Sequence, residues 1–217
     1  MTEPRYVHEG TSLLFPTPLL SYRIADAAGI NALLLEEIET RRQNDRGAVR
    51  SNRGGWASIA DFFTRTEPGH LALAAAIREV AIDATGQIGN NPVGLPKTNY
   101  RLTGWINVNP QHAYNGPHDH PGAFWSGAYY VANASAAPDD DSGGAISFID
   151  PRCAPAGQSL VKAPMFKGTH GLQPAPGTLL LFPSNAKHWV HPNTAQADRV
   201  TVAFNVFVSR QRGAALV

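Results

Sequence analysis

The sequence predicts an α+β protein in which helices come first and an antiparallel β-sandwich or barrel follows. Apolar residues recur at helical spacing in the N-terminal half and alternate in the manner of strands in the C-terminal half. The chain of 217 residues contains 20 glycines and 17 prolines, which indicates many turns. Short strands separated by turns, with no helices between them, are typical of sandwiches and barrels.

The N-terminal part, residues 1–97, is expected to be mainly helical. It opens with an extended segment, residues 13–24, whose two prolines predict a position at the edge of a sheet. Residues 25–44 carry Ile and Leu at helical spacing and predict the first helix, and residues 69–86 have a broad apolar face and predict the second. Neither helix has an obvious core of its own, so both are expected to pack on the sheet within a single domain of residues 1–217.

Residues 98–210 are predicted to form the β core. Turn residues, mainly Gly, Pro, Asn and Asp, separate stretches with strand-like patterns. The five stretches are residues 100–109, 125–131, 145–149, 178–182 and 200–208. No internal repeat and no low-complexity linker is visible between them.

Composition and charge argue against several functional classes. The formal net charge of +1 and the scattered arginines give no basic surface for nucleic acid. No apolar run approaches the roughly 20 residues that span a bilayer, and no signal peptide is visible. Cys153 is the single cysteine, so no internal disulfide forms, and its turn-like surroundings do not favour a nucleophile. We therefore expect a cytoplasmic protein with neither a nucleic-acid partner nor a membrane partner.

Three histidines carry the candidate chemistry. His118 and His120 are separated by one residue, and positions i and i+2 of a strand face the same side of a sheet. His188 follows the predicted strand 178–182 and a Pro-Ser-Asn turn, where a ligand at the rim of a barrel is expected. Neutral imidazoles bind iron, zinc, copper and nickel, and three ligands on one face leave coordination positions open. The pattern predicts a metal site in the β core.

Arg199 and Thr201 open the last predicted strand and share one of its faces. A guanidinium group beside a hydroxyl fits a single carboxylate, which the arginine holds with two hydrogen bonds. Together with the histidines, this pair predicts a site with a metal at one end and an anion at the other. Four aromatic residues are candidates for apolar walls of the site: Trp105, Phe124, Trp125 and Trp189.

Six groups of short motifs in a fixed order connect these residues to a known family. They are Gly116-Pro117-His118-Asp119-His120, Ser126-Gly127-Ala128-Tyr129-Tyr130, Gly143-Gly144 with Phe148-Ile149-Asp150-Pro151-Arg152, Pro176-Gly177 with Phe182-Pro183-Ser184, His188 to Pro192, and Arg199-Val200-Thr201 with Phe204-Asn205. Each motif is weak by itself, whereas their common order is specific. Over residues 99–208 the chain resembles the 2-oxoglutarate/Fe(II)-dependent oxygenases, in particular a small bacterial and phage group related to prolyl hydroxylases.

The resemblance implies a double-stranded β-helix, the jelly-roll fold of cupin-like barrels, with the N-terminal helices packed on the sheet. It implies that His118 and His188 bind iron and that Arg199 binds the distal carboxylate of 2-oxoglutarate. Thr201 and Tyr130 are implied to lie beside this carboxylate. The implied reaction uses Fe(II), 2-oxoglutarate and O2, hydroxylates a substrate and converts 2-oxoglutarate to succinate and CO2.

The chain departs from the wider superfamily at residue 120. The superfamily pattern is His-x-Asp, in which a carboxylate is the third ligand, whereas this chain has His120 at that position. Asp119 is the nearest acid, but adjacent residues of a strand face opposite sides, so it joins His118 only if the chain bulges. We therefore expect His118, His120 and His188 to be the metal ligands, with Asp119 as the alternative third ligand.

Two other functions stay open at the level of sequence. One is a cupin-type three-histidine metalloenzyme that does not use 2-oxoglutarate, and the other is a non-catalytic jelly-roll that binds a metal or another ligand. Replacing Arg199 distinguishes the oxygenase from the cupin-type enzyme, because only the oxygenase needs a carboxylate anchor. The substrate is expected to be a small molecule or a peptide, and a homodimer is as compatible with the sequence as a monomer.

Overall fold

The computed structural model describes residue 7 and residues 9–49, 51–89, 98–133, 143–152, 156–161 and 163–210. Two antiparallel sheets enclose an interior, and two long helices pack on the outside of the larger sheet. This arrangement is a double-stranded β-helix with N-terminal helices, and it confirms the predicted α+β class.

The described residues form eleven strands. In chain order they are β1 (Leu20–Arg23), β2 (Asn52–Arg53), β3 (Trp56–Ala57), β4 (Thr98–Asn109), β5 (Tyr114–His118), β6 (Trp125–Ala132), β7 (Ile146–Ile149), β8 (Thr169–Leu172), β9 (Thr178–Pro183), β10 (His188–Val190) and β11 (Arg199–Arg210). The larger sheet has the order β1-β9-β6-β11-β4-β3, and the smaller sheet has the order β2-β5-β10-β7-β8. The five predicted stretches correspond to β4, β6, β7, β9 and β11.

The two long helices are α1 (Ala27–Arg42) and α2 (Pro68–Ile88), close to the predicted ranges. Helix α2 begins with a proline, whose fixed φ suits the first helical position. A short helix α3 (Gln158–Val161) and two 3-10 turns (Phe62–Thr64 and Pro164–Phe166) complete the helical elements of the described residues. Within the described ranges, no helix is both long enough and apolar enough to cross a bilayer.

A carboxylate of α1 caps the start of α2. Glu37 accepts hydrogen bonds from the backbone N–H groups of Gly69 at 2.7 Å and His70 at 3.2 Å, and the Nδ1 of His70 donates to it at 2.7 Å. A Cβ at position 69 would lie 2.8 Å from the Glu37 carboxylate and 2.9 Å from the backbone nitrogen of Leu34. Glycine is therefore needed at position 69 for the close approach of the two helices. The negative charge of Glu37 at the N-terminus of α2 stabilises this contact further, because it opposes the positive end of the helix dipole.

The two faces of the larger sheet have different environments, because successive side chains of a strand point to opposite sides. Tyr129 faces the helices and donates to Asn31 of α1 at 2.7 Å, whereas Tyr130 belongs to the interior cluster between the sheets. Trp125 likewise donates to Thr85 of α2 at 3.0 Å. The apolar core between helices and sheet includes Leu34, Ile38, Leu73, Ile77, Leu179, Val202 and Phe204. Polar residues of the larger sheet can therefore collect on its other, interior face.

The N-terminal part is more than a helical layer. Its three short strands extend both sheets: β1 pairs with β9, β2 with β5, and β3 with β4. Strand β1 lies at the end of the larger sheet, as the prolines of residues 13–24 predict. Strands β2 and β3 have two residues each, too few for a period-two pattern to be visible.

A β-bulge in β5 sets the direction of side chains near the histidines. His188 on β10 pairs with His118, but Val190 pairs with Asn115, so three steps along β5 correspond to two along β10. The additional residue lies beside Pro117, which has no N–H to donate to a neighbouring strand. As a result, Asn115 and His118 both reach the interior, which a regular strand would not allow.

Candidate metal centre and anion pocket

Three histidine side chains from the smaller sheet converge in the interior. His118 ends β5, His188 begins β10 directly opposite, and His120 follows two residues after β5. The ring centroids are 4.4 Å apart for residues 118 and 188, 4.9 Å for 118 and 120, and 5.3 Å for 120 and 188. One ring nitrogen of each histidine lies within 4.8 Å of the others. This spacing allows one metal ion to contact all three rings.

Backbone carbonyls fix the orientation of two of these rings. The Nδ1 of His118 donates to the carbonyl of Gly116 at 2.7 Å, and the Nδ1 of His188 donates to the carbonyl of Ala186 at 2.9 Å. A carbonyl oxygen only accepts, so the proton of each neutral ring is on Nδ1 and the lone pair is on Nε2. Such hydrogen bonds are typical of metal-binding histidines, because they hold the ring and make the opposite nitrogen more basic.

Burial keeps these rings neutral. His188 is 5% exposed, and its ring centroid lies 5.8 Å from that of Phe148 and 4.9 Å from that of Phe182. Burial, followed by the neighbouring His118, lowers the pKa of His188 to about 3, although the hydrogen bond to Ala186 acts in the opposite sense. Burial also lowers the pKa of His118. The lone pairs of both rings are therefore available to a metal at neutral pH.

His120 points toward the other two histidines, whereas Asp119 is exposed. Strand β5 ends at His118, and the backbone N–H of His120 then donates to the carbonyl of Ser184 at 2.9 Å. This bond holds the chain against the turn between β9 and β10, and the His120 ring centroid lies 5.7 Å from that of Trp105. As predicted, the side chain of His120 faces the other two histidines and that of Asp119 faces solvent. These orientations arise from a turn after His118, because β5 does not continue through residues 119 and 120.

Arg199 lies in the same interior, on the larger sheet. Its side chain is almost fully buried, and its guanidinium donates to the hydroxyl of Tyr130 at 3.3 Å and, more weakly, to that of Thr201 at 3.5 Å. Its Nε–H has no hydrogen-bond partner, and no carboxylate of the described residues lies within ion-pair distance. A buried guanidinium without a counter-ion is costly, so this position is suited to an anion.

The neighbours of Arg199 complete a site for such an anion. Burial raises the pKa of Tyr130, although Arg199 acts in the opposite sense, so the phenol keeps its proton at neutral pH. Since its oxygen accepts from Arg199, this proton can be donated to an anion on the guanidinium. Gly144 adopts a φ of +68°, and its N–H donates to the carbonyl of Pro192 at 2.9 Å. A Cβ at position 144 would lie 3.5 Å from Cδ of Arg199, which shows how closely this turn covers the side chain.

One pocket joins the two groups. The three histidines line it together with Arg199 and Thr201, and Ile146, Phe182 and Val190 form apolar parts of its wall. Among the four aromatic residues considered as walls, Trp105 lines the pocket. Trp125 packs on the helix side, Phe124 is about half exposed, and the Trp189 ring centroid lies 3.9 Å from that of His191. Cys153 lies outside the described residues. The pocket can hold a metal ion at one end and an organic anion at the other.

Three polar residues of this pocket are not among those predicted from the sequence: Ser51, Asn107 and Asn115. Asn107 lies on β4 opposite Thr201, and Asn115 accepts from Asn109 at 2.9 Å and donates to Ser51 at 3.3 Å. Asn107 has a detectable signal, because it alternates with buried aliphatic residues in a long strand. Asn115 has none, because the bulge that turns it inward is not visible in the sequence. Ser51 reaches the pocket from a loop.

The β core matches a known protein-family model. Residues 103–205 match the model of a family described as "Putative 2OG-Fe(II) oxygenase". The β core is therefore similar to the 2-oxoglutarate/Fe(II)-dependent oxygenases. The matched range runs from β4 to β11 and contains all six residues predicted for the site. Fe(II), 2-oxoglutarate and O2 are the cofactor and co-substrates of this family, and an enzyme of this kind is an oxidoreductase.

Solved structures share the fold. A prolyl-4-hydroxylase from Pseudomonas putida is 17% identical, with 90% of this chain and 93% of that chain covered and a TM-score of 0.62. A prolyl hydroxylase from Trichoplax adhaerens, in complex with a hypoxia inducible factor peptide fragment, is 16% identical over 87% and 83% of the chains, with a TM-score of 0.62. HygX from Streptomyces hygroscopicus, with nickel, 2-oxoglutarate and hygromycin B bound, is 13% identical over 88% and 83%, with a TM-score of 0.60. No curated protein sequence matches the chain.

Proposed function

We propose that the protein is an Fe(II)/2-oxoglutarate-dependent dioxygenase that hydroxylates a substrate still to be identified. In the overall reaction, 2-oxoglutarate, O2 and a substrate C–H bond give succinate, CO2 and an alcohol. One oxygen atom of O2 enters succinate and the other enters the new hydroxyl group. The oxidation of 2-oxoglutarate and of the substrate together supplies the four electrons that reduce O2.

Arg199 is the observation that carries the proposal. Its guanidinium is buried, has no carboxylate partner among the described residues, and lines the same pocket as three convergent histidines. A protein that only bound a metal would have no use for this cation, whereas a co-substrate with a distal carboxylate needs it. In our proposal the guanidinium holds that carboxylate with two hydrogen bonds, and the hydroxyls of Thr201 and Tyr130 donate to it.

His118, His120 and His188 are the proposed ligands of Fe(II). Their nitrogen donors suit a first-row divalent metal, and the fixed Nδ1–H bonds of two of them orient Nε2 toward one point. Bound Fe(II) with 2-oxoglutarate supplies the oxidising chemistry, which no side chain of the pocket provides. The chain contributes neutral ligands, a fixed distance between metal and anion sites, and an apolar wall at Phe182 that excludes water.

The substrate is proposed to be a small molecule or a peptide. Proteins with the same fold include one solved with a peptide fragment and one solved with hygromycin B, so the fold is compatible with either class. The segment between β7 and β8 leaves the smaller sheet beside His188 and exposes Leu160, Val161, Met165 and Phe166. Such connecting segments determine substrate choice in many folds and are the first place to search for substrate contacts.

Anaerobic titration with Fe(II) and 2-oxoglutarate tests the proposal. The intact protein should develop the metal-to-ligand charge-transfer band of an iron-bound 2-oxo acid, and His118→Ala should abolish it because a ligand is lost. Arg199→Met should weaken 2-oxoglutarate binding by about 100-fold or more while metal binding persists. Arg210→Met, at the exposed end of the same strand, is the matched control and should bind normally. Absence of the band in the intact protein would contradict the proposal.

The second candidate is a cupin-type metalloenzyme that does not use 2-oxoglutarate. The three-histidine donor set without a carboxylate favours it, because neutral imidazoles alone also suit such enzymes. A metal-dependent activity that persists in Arg199→Met, in a protein that does not bind 2-oxoglutarate, would support this candidate. Formation of succinate from 2-oxoglutarate by the intact protein would exclude it.

A further inference from the structure

The interior face of the larger sheet continues past the metal centre. Residues two apart on β11 share this face, and Arg199, Thr201 and Ala203 line the pocket. Asn205 and Phe207 come next on the same face, because the residues between them pack toward the helices. Phe207 lies four residues beyond Ala203, which is roughly 13 Å along the strand.

Strand β4 completes this outer part of the face. Thr103 pairs with Asn205, and Arg101 pairs with Phe207. Thr103, Asn205 and Phe207 are half-buried, and Arg101 is exposed. We call the surface formed by these residues the outer ledge.

The outer ledge begins beside the metal centre. Thr103 is two residues from Trp105 on β4, and the Trp105 ring centroid lies 5.7 Å from that of His120. Arg199, the proposed anchor of the co-substrate, lies at the opposite end of the same face. A substrate that presents a carbon atom to the proposed metal therefore has the outer ledge as a surface for its remaining atoms.

Asn205 presents hydrogen-bond donors in a fixed orientation. Its side-chain oxygen accepts from the hydroxyl of Ser126 at 2.8 Å, and this bond determines which side of the amide carries the N–H2 group. No described residue accepts a hydrogen bond from that group. Asn205 belongs to one of the sequence motifs, but the proposed metal and co-substrate sites do not use it. Its N–H groups suit an oxygen acceptor of a substrate.

Arg101 presents a positive charge at the outer end of the ledge. Its guanidinium carbon lies 3.8 Å from the ring centroid of Phe207, and no described carboxylate lies within ion-pair distance. The ring supports one face of the guanidinium, whereas the N–H groups along its edge stay accessible. A guanidinium held in this way suits a carboxylate, which it binds with two hydrogen bonds.

We propose that the substrate is an anion that carries an amide carbonyl, with the carbonyl oxygen bound by Asn205 and a carboxylate bound by Arg101. This inference rests on the proposed function and names the chemical class of its substrate. A peptide with an acidic residue and an acidic amino acid with a long N-acyl chain both present these groups. In an extended peptide, the acidic residue lies about four residues from the residue that reaches the metal.

Two pairs of probes, each pair differing by a single charge, test this proposal. One pair is an acetylated and amidated alanine heptapeptide with a central glutamate and the same peptide with a central glutamine. The other pair is the α-amides of N-hexanoylglutamate and N-hexanoylglutamine. Isothermal titration calorimetry measures their dissociation constants for the protein in saturating Ni²⁺ and 2-oxoglutarate. In at least one pair, the charged member should bind about fivefold or more tightly than the neutral member.

Substitutions on the outer ledge locate this preference. Arg101→Met should remove it, because methionine can still cover Phe207 but has no charge. Arg210→Met is the matched control and should keep it unchanged, because Arg210 is exposed at the end of β11 but follows the register of the opposite face. Asn205→Asp still accepts from Ser126 but has no N–H to donate, so both members of the pair should bind about fivefold or more weakly.

The two possible sources of the anion give different results. A preference only in the peptide pair identifies an acidic peptide, and a preference only in the acyl pair identifies an acylated amino acid. Equal or undetectable binding of both members in both pairs would overturn the proposal, as would a preference that persists in Arg101→Met. If the intact protein still forms the charge-transfer band, such a result leaves the proposed function standing. A preference that depends on Arg101, in a protein without the band, would support the ledge and count against the oxygenase.

Discussion

His188 is the most deeply buried of the three clustered histidines, and two aromatic rings lie against it. This environment favours the neutral imidazole that a metal needs, because charging the ring would remove a cation from water without a negative partner. The same burial links the protonation of a proposed ligand to the stability of the metal-free fold.

Lowering the pH should destabilise the metal-free protein through His188. The pKa of His188 is about 3 in the folded protein and takes the ordinary value of 6.5 in the unfolded chain. Between these values only the unfolded state gains a proton, so the free energy of unfolding falls as the pH drops below 6.5 and levels off near pH 3. At pH 5 the loss is about 2 kcal/mol. Urea unfolding at pH 7.5 and 5.0 measures it.

A His188→Asn variant isolates this contribution, because asparagine takes up no proton. The fall in unfolding free energy between the two pH values should be about 2 kcal/mol smaller in the variant than in the wild type. His118→Asn should reduce the fall in the same direction, since burial lowers the pKa of His118 as well. An identical pH dependence in the wild type and His188→Asn would contradict this account.

Residue-level prediction works where chemistry and spacing are both distinctive. His118, His120 and His188 come together in the structure. This cluster is predictable because histidine is rare in the chain and the i, i+2 spacing of residues 118 and 120 is visible. Asn115 escapes prediction, because asparagine is common in turns and the bulge that turns its side chain inward leaves no local signal. Which asparagines enter the pocket depends on the register of distant strands.

At the scale of elements, the strands that carry the site are the hardest to predict. Strand β10 has only three residues, and β5 contains Gly116, Pro117 and a bulge, so neither shows a period of two. The long strands β4, β6 and β11 are predictable, because one of their faces packs on the helices over many residues. Extended regular burial leaves a pattern in the sequence, and short irregular pairing does not.

The cap between the helices should be a major stabilising contact of the N-terminal part. Glu37→Ala would remove the acceptor for two N–H groups of α2 and leave the buried Nδ1 of His70 without a partner. We expect the free energy of unfolding to fall by about 2 kcal/mol, which combines the loss of a cap with the burial of an unpaired donor. Urea unfolding followed by far-UV circular dichroism measures the change.

Glu36→Ala is the matched control for this prediction. Glu36 is the preceding residue of α1 and is exposed, so its replacement should change the unfolding free energy by less than about 0.5 kcal/mol. Equal effects of the two substitutions would mean that Glu37 acts through the general charge of α1 and not through its contacts with α2.

At the scale of the whole molecule, the order of elements and the motifs predict the fold class, whereas the pairing of strands is not predictable from local pattern. His118 and His188 lie on paired strands although they are far apart in the chain. Such contacts depend on closure of the β core as a whole, and no window of sequence encodes them. The contribution of the N-terminal part to both sheets is missed for the same reason, since β2 and β3 are defined only by their partners.

The three short N-terminal strands have a consequence for the solubility of the β core. Strand β1 is the outer neighbour of β9, β3 is the outer neighbour of β4, and β2 is the outer neighbour of β5. A fragment of residues 98–210 would therefore expose unpaired N–H and C=O groups along three strands, together with the apolar face that the helices cover. We expect this fragment to form larger assemblies than the full chain at the same concentration, as measured by size-exclusion chromatography with light scattering. A fragment that stayed a folded monomer would show that the N-terminal residues do not protect the β core from aggregation.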